Sequence, residues 1–344
     1  MKAMRFVALA FAVIAVISLG CGKAKDEKNY GGSDWNDFLD AMPDADSLQL
    51  TVPGSSEGKG LGETAWLYEE TVDFTRGVND GVLWMLSLID EVTSYPPTSH
   101  EGDSYIWGPW DGGGLSPADY KFTITRESET HFTYVAEGRD KHSEGEWSKI
   151  WWGEVEASAS TQRRGVGNFE IDYDALHVVD PTYDYQGSVV VDYDTINDGR
   201  RIDVTFNEFV SEYYQDAEPI SGTYSYREHA NLSGKFLFDA LVDIHYEQYH
   251  GDQNSKREHL YFDTRWQGDG AGRSDAVATG GDLPDIQIGG SPIKKVLISE
   301  CWDTDFLRTH FKEVAVCDDD SEHDIANEGD PDSCVFDEEM PEES

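Results

Sequence analysis

The sequence predicts a mainly β protein: an antiparallel meander curled into a barrel or half-barrel, with an amphipathic N-terminal helix packed on it and an acidic C-terminal tail. Three observations carry this expectation. Between about Asp103 and Val316 apolar and polar residues alternate with period two; Val78 to Thr93 repeats its apolar residues at helical spacing; and Asp318 to Ser344 holds 13 acidic residues among 27 with no Lys or Arg. Alternation marks half-buried strands, because successive side chains point to opposite faces of a sheet. With 38% apolar and 12% aromatic residues, the chain has the material for a substantial core.

At the start of the chain Lys2 and Arg5 precede an unbroken apolar stretch from Phe6 to Ile17, and Ser18-Leu19-Gly20 leads into Cys21. A charged start, a short apolar core and small residues at the cut describe a signal peptide over residues 1–20. The stretch is shorter than the roughly 20 residues that a membrane-spanning helix needs. Gly20-Cys21 resembles the signal of bacterial lipoproteins, although Leu19 stands where a small residue is usual and Ser18 where a branched apolar one is usual. The resemblance implies fatty acid such as palmitate on Cys21, cleavage before it and a lipid-anchored place in the cell envelope. Gly22 rather than Asp follows the cysteine, which implies the outer membrane more than the inner. Ser18 and Gly20 also fit an ordinary secretory cleavage site, which would release a soluble protein.

Residues 21–32 are polar and lack apolar periodicity, as expected of a tether. Residues 33–316 are expected to form one β-rich domain with N-terminal helices, and 317–344 the tail. Asp34 is placed to cap a short helix with Trp35, Phe38 and Leu39 on one side, stopped by Pro43; residues 48–52 read as a short strand. After a Gly/Ser loop come Ala65 to Thr75 and then the best helix, Val78 to Thr93, with Asn79 as its cap and Val82, Met85, Leu86, Ile89 and Thr93 on one face. Strands follow around Phe122/Ile124, Phe132/Tyr134, residues 147–158 and Phe169/Ile171/Tyr173. Val189, Val191 and Tyr193 enter, and Ile202, Val204 and Phe206 leave, the turn Asn197-Asp198-Gly199, whose Asp-Gly accepts positive φ and marks a hairpin. Further strands are expected at 221–229, 234–248, 257–266 and 293–300.

The formal net charge of −42 becomes −44 once Lys2 and Arg5 leave with the signal. That balance excludes nucleic acid and anionic lipid surfaces as partners, since both are bound through Lys and Arg. Cys301, Cys317 and Cys334 remain after cleavage, none in a CxxC pair. Cys301-Trp302 and Cys334-Val335-Phe336 share an apolar setting, so a disulfide of Cys301 with Cys334 is expected ahead of the two pairings that involve Cys317.

No catalytic residue is identified. Gly54-Ser55-Ser56-Glu57-Gly58 has the letters of G-x-S-x-G, but Lys59-Gly60-Leu61-Gly62 prolong the loop where a nucleophile elbow needs a helix. Asp172/Asp174 and Asp192/Asp194 read as a solvated strand face rather than a glycosidase pair. His245, His250 and His259 lack metal-ligand spacing, and the acids of Asp192-x-Asp194 and Asp318 to Asp320 match no calcium loop, so no metal and no cofactor is expected. Of the clustered Trp107, Trp110, Trp147, Trp151 and Trp152, the adjacent Trp151 and Trp152 must face opposite ways. A non-catalytic envelope lipoprotein is expected, with an apolar small ligand or a protein as partner and the membrane reached through the anchor. A secreted hydrolase or carbohydrate-binding protein is the alternative.

Overall fold

The computed structural model describes residues 34–43, 45–54, 64–111, 117–141, 146–158, 163–197, 199–210, 219–242 and 256–340. Cys21, Ser55 to Gly58, His245 and His250 lie outside these residues. The described chain divides into two compact units, one from residues up to Gln49 with Asp80–Ile220, the other from Leu50–Asn79 with Ser221 onward. The protein is mainly β, and every paired strand runs antiparallel to its neighbours in sequence order.

In the first unit the strands are β1 (Ser99–Glu101), β2 (Ser104–Asp111), β3 (Ala118–Arg126), β4 (His131–Asp140), β5 (Ser148–Ala157), β6 (Gly165–Asp172), β7 (Gln186–Asp194) and β8 (Arg200–Val210). Their alternation sorts the faces. Phe122, Ile124, Phe132, Tyr134, Trp151, Val155, Phe169, Val191, Val204 and Phe206 are all buried, and the register sets them next to one another, with Tyr134 opposite Gly153 and Trp151 opposite Ile171. The other face is polar and held by cross-strand ion pairs such as Lys121–Glu137 at 2.8 Å and Arg139–Asp119 at 3.3 Å. Helix α1 (Asp34–Ala41) lays Phe38 edge-on against Phe132 and Tyr134, with ring centroids 5.8 and 5.9 Å apart. β7 and β8 pair antiparallel, and Gly199 just before β8 has φ +96°; Asp198 lies outside the described residues.

In the second unit the strands are β9 (Ile220–Glu228), β10 (Gly234–Val242), β11 (Glu258–Trp266), β12 (Gly272–Gly280), the two-residue β13 (Gln287–Ile288), β14 (Ser291–Trp302), β15 (Arg308–Cys317) and β16 (Glu322–Gly329). Two hairpin ends share one device: Gly234 lies opposite Trp266 and Gly272 opposite Trp302. A Cβ on either glycine would sit 2.2 or 2.3 Å from the indole. Each indole N–H is donated to a turn carbonyl, of Leu232 at 3.1 Å and of Gly270 at 2.9 Å.

Several expectations need correction. Among the described residues the strand path is open, since β1 pairs with β2 alone and β16 with β15 alone, so the expected sheet is there but its closure into a barrel is not. Helix α3 is one helix, Trp66–Thr93, running through the junction where a cap was expected. Asn79 sits inside it, and its buried carboxamide bonds Leu50 N–H at 2.6 Å and Leu50 C=O at 2.9 Å. That pairing is the reason residues 48–52 do not form a strand: Leu48 ends helix α2 (Ala45–Leu48), and the chain after it is satisfied by side chains. Tyr226 Oη likewise accepts from Thr51 N–H at 3.1 Å. Within the acidic segment, β16 joins the edge of β15; an edge strand requires ladder partners rather than a core of its own.

The start of α3 is tied to β14 by Glu300, a fully buried residue. One carboxylate oxygen accepts the helix N–H of Leu67 at 2.5 Å and the other accepts Arg308 Nε at 2.6 Å. Burial raises its pKa, against the lowering effect of Arg308 and the helix N–H groups. The carboxylate serves as a cap donated from a distant strand, placed where the helix dipole favours negative charge. Glu300→Ala leaves Arg308 and the helix N–H groups without it, and should destabilise the protein by about 3–5 kcal/mol, the cost of breaking a buried pair. Urea unfolding of the two proteins measures the difference.

Candidate functional site

The first unit contains an apolar cavity of about 70 Å³. The floor comes from strand alternation: Tyr120 and Phe122 of β3, Ala136 of β4, Trp151 of β5 and Ile171 of β6 reach it. Ile89 and Val92 of α3 line it as well, as does Leu176 of helix α4 (Tyr173–Val179). Phe122 and Trp151 stack nearly parallel at 5.6 Å, and Tyr134 meets Trp151 at 5.5 Å.

Helix α4 exists because Asp172 stops β6. Its side chain accepts the N–H of Ala175 at 2.8 Å, an N-cap bond. Asp174 accepts from Gly187 N–H at 3.0 Å. These two acids therefore are not paired on a strand face, contrary to expectation; a good capping residue at a strand end turned the chain into a helix. Gly138 of β4 admits α4, since a Cβ there would lie 2.6 Å from Val179 Cγ1. Buried Asp180 ends the helix and accepts Tyr120 Oη at 3.2 Å and Thr182 Oγ1 at 2.6 Å. Lys121 also borders the cavity, with its ammonium held by Glu137 and 4.6 Å from the Trp147 ring. The residues lining the cavity include no Asp or Glu.

The other candidates are dispersed. Trp107 and Trp151 are buried, Trp110 lines the cavity, and Trp147 and Trp152 are half-buried, with Arg139 4.6 Å from the Trp147 ring and Lys149 6.0 Å from that of Trp152. Asp192 is exposed, while Asp194 organises its turn: against the upward push of burial, bonds from Asn197 and Ile196 hold its carboxyl below the ordinary range. His259 pairs with Asp239 rather than with another histidine. Among the described residues no group of His, Cys, Asp and Glu is arranged to hold a metal ion, and no helix is long and apolar enough to cross a membrane. Cys301 and Cys334 form a disulfide with Cα atoms 5.4 Å apart, and Cys317 is a buried thiol. The sequence reading missed a cluster beside that disulfide. Asp263-x-Arg265 and Arg273-x-Asp275 mirror each other across the Asp269-Gly270 turn, and charges at alternating strand positions on both sides of a turn were the available signal.

No family model, no curated protein and no solved structure matches this chain.

Burial raises the phenols of Tyr134, Tyr173 and Tyr193 well above the ordinary tyrosine value. The folded protein keeps these protons where the unfolded chain releases them, above about pH 10. Their contribution to stability is therefore intact below about pH 10 and is lost as pH climbs toward the folded values. The urea midpoint should fall between about pH 9 and about pH 11, more steeply than in a variant carrying Tyr173→Phe.

Proposed function

We propose that the protein is a non-catalytic envelope lipoprotein, anchored through Cys21 to the outer membrane, whose first unit holds an apolar ligand. The cavity supports this reading. Its wall is aromatic and aliphatic, it carries no carboxylate, and its one ammonium is already paired with Glu137. Ligand sites are concave and mostly apolar, with few polar groups to orient the guest. At about 70 Å³ it is smaller than the roughly 150 Å³ engineered cavity that takes benzene, so it suits the slender end of an alkyl or acyl chain. In this reading β2–β7 form a half-barrel curled around the guest. The indole N–H groups of Trp110 and Trp151 are buried beside the cavity without an acceptor, and a guest bearing an acyl oxygen would offer one.

Two experiments test the reading. Octanoic acid carrying carbon-13 at its terminal methyl, a probe slender enough for the cavity, should bind the purified protein and show a shifted, broadened methyl resonance as the chain end leaves water. Ala136→Phe fills the cavity from the strand side and should remove the signal while near-UV circular dichroism stays unchanged. Equal binding by wild type and variant would place the probe elsewhere. For the anchor, wild type should incorporate labelled palmitate and partition with membranes, and Cys21→Ser should abolish both; a wholly soluble wild type would refute anchoring.

A further inference from the structure

In the second unit the C-terminal segment lies across two buried arginines. Arg265 of β11 sits opposite Arg273 of β12, Asp263 opposite Asp275, and Cys301 of β14 opposite Arg273. Like charges directly opposite one another repel, so the pair requires anions close by. Asp275, fully buried, supplies one: Arg265 Nη2 lies 2.8 Å and Arg273 Nη2 2.9 Å from its carboxylate, which also accepts Ser299 Oγ at 2.6 Å. One carboxylate does not balance two guanidinium groups, and Asp263 is shared, 2.9 Å from Lys235 and 3.8 Å from Arg265 Nε, so three cations face two buried carboxylates.

The remaining partners come from the C-terminal segment. Arg265 donates to the carbonyl of Asp337 at 3.0 Å and lies 3.2 Å from the Glu339 carboxylate. Arg273 donates to the carbonyl of Phe336 at 3.5 Å and lies 3.4 Å from Glu338. The Phe336 ring is 5.5 Å from the Arg265 guanidinium, and Glu339 N–H is donated to Asp275 at 3.3 Å. Arg265 and Arg273 keep only 10% and 6% of their side-chain surface, whereas Asp337, Glu338 and Glu339 are exposed. The segment joins no strand. It touches the sheet as a ligand touches a receptor, with charged groups reaching down to two cations and the disulfide of Cys334 fixing one end.

We propose that Arg265 and Arg273 form a binding site for an extended acidic peptide, that residues 335–339 are its resident occupant, and that the Cys301–Cys334 disulfide latches that occupant in place. A dithiol reductant opens the latch. Its thiolate attacks the half-buried Cys334 sulfur, since Cys301 has no exposed surface, and expels Cys301 as a thiolate, leaving a mixed disulfide. The second thiol then displaces Cys334; the reductant ends as a disulfide, and its two electrons and two protons end on the cysteines. What remains holding the segment is largely rim charge pairs, which salt screens, and an acidic peptide from another chain then competes for the same arginines.

The probe is a fluorescein-labelled peptide with the sequence of residues 335–340, added to the full-length chain and followed by anisotropy. In a chain carrying Cys334→Ser, Phe336→Ala, Glu338→Gln and Glu339→Gln the tethered competitor is weakened, so the probe should bind at least about tenfold tighter than to wild type. Adding Arg273→Gln to that chain, or replacing the peptide's acids by amides, should abolish the gain. An intact fold with no gain, or a gain indifferent to Arg273→Gln, overturns the site. Should the multiple variant fail to fold, the dithiol-treated wild type decides. Amide exchange of residues 335–339 should rise at least about tenfold while β11 and β12 stay protected; exchange unchanged by reduction overturns the latch.

Discussion

The buried carboxylate of Glu300 fixes where α3 begins, and much of the second unit follows from that point. An α-helix opens with N–H groups that lack partners, and here a strand distant in sequence provides the acceptor. Once Leu67 is held, the next turns fall into place over the sheet. Thr71 Oγ1 meets Thr264 Oγ1 at 2.8 Å, and Phe74 packs on Phe238 at 4.8 Å. Asn79, a turn or two later, reaches Leu50 and holds the preceding chain. A carboxylate in that position is tolerated because Arg308 balances its charge and the helix end attracts it.

Both units solve the same problem in different ways. A wide antiparallel sheet has one face that must be covered, and in the first unit aromatic rings from strands, α1 and α4 do this, leaving the small void beneath α4. In the second unit Phe74 of α3 covers Phe236, Phe238 and Phe262 in mid-sheet, and at the hairpin ends tryptophan lies over glycine. The absent side chain leaves room for an indole at the Gly234–Trp266 and Gly272–Trp302 pairs, and the indole N–H closes the adjoining turn. The opposite face of β11, β12 and β14 carries ions instead, and there the cover is the C-terminal segment.

The strands were legible because period-two alternation is a local property, and the hairpin at Gly199 because its turn residues announce it. Other features were not local. Asn79 reads as a helix cap by residue type, yet its role inside α3 depends on Leu50 arriving beside it. Residues 48–52 have strand composition, but strand formation depends on a neighbour with free ladder groups, and side chains had taken those places. Asp172 could be read as either a strand acid or a cap, and only the close approach of α4 to Gly138 decides between them. The cavity wall was visible piecemeal as inward-facing aromatics, although a void is a property of how side chains fail to meet and leaves no mark in sequence. The Arg265–Asp275–Arg273 cluster was obscured by composition, since isolated arginines in so acidic a chain read as surface residues.

The last strand bears on how the molecule behaves among its own copies. Among the described residues β16 ends the ladder with an open edge, the arrangement that invites a second chain to pair by backbone hydrogen bonds. Here that edge carries Glu322, Asp324 and Glu328. Two such edges brought together would set carboxylates against carboxylates, so each molecule repels the approach that its backbone would otherwise welcome. That protection is electrostatic and therefore conditional: salt screens exposed charges beyond about 8 Å at physiological ionic strength, so the backbone template is best defended where salt is scarce and least where it is plentiful.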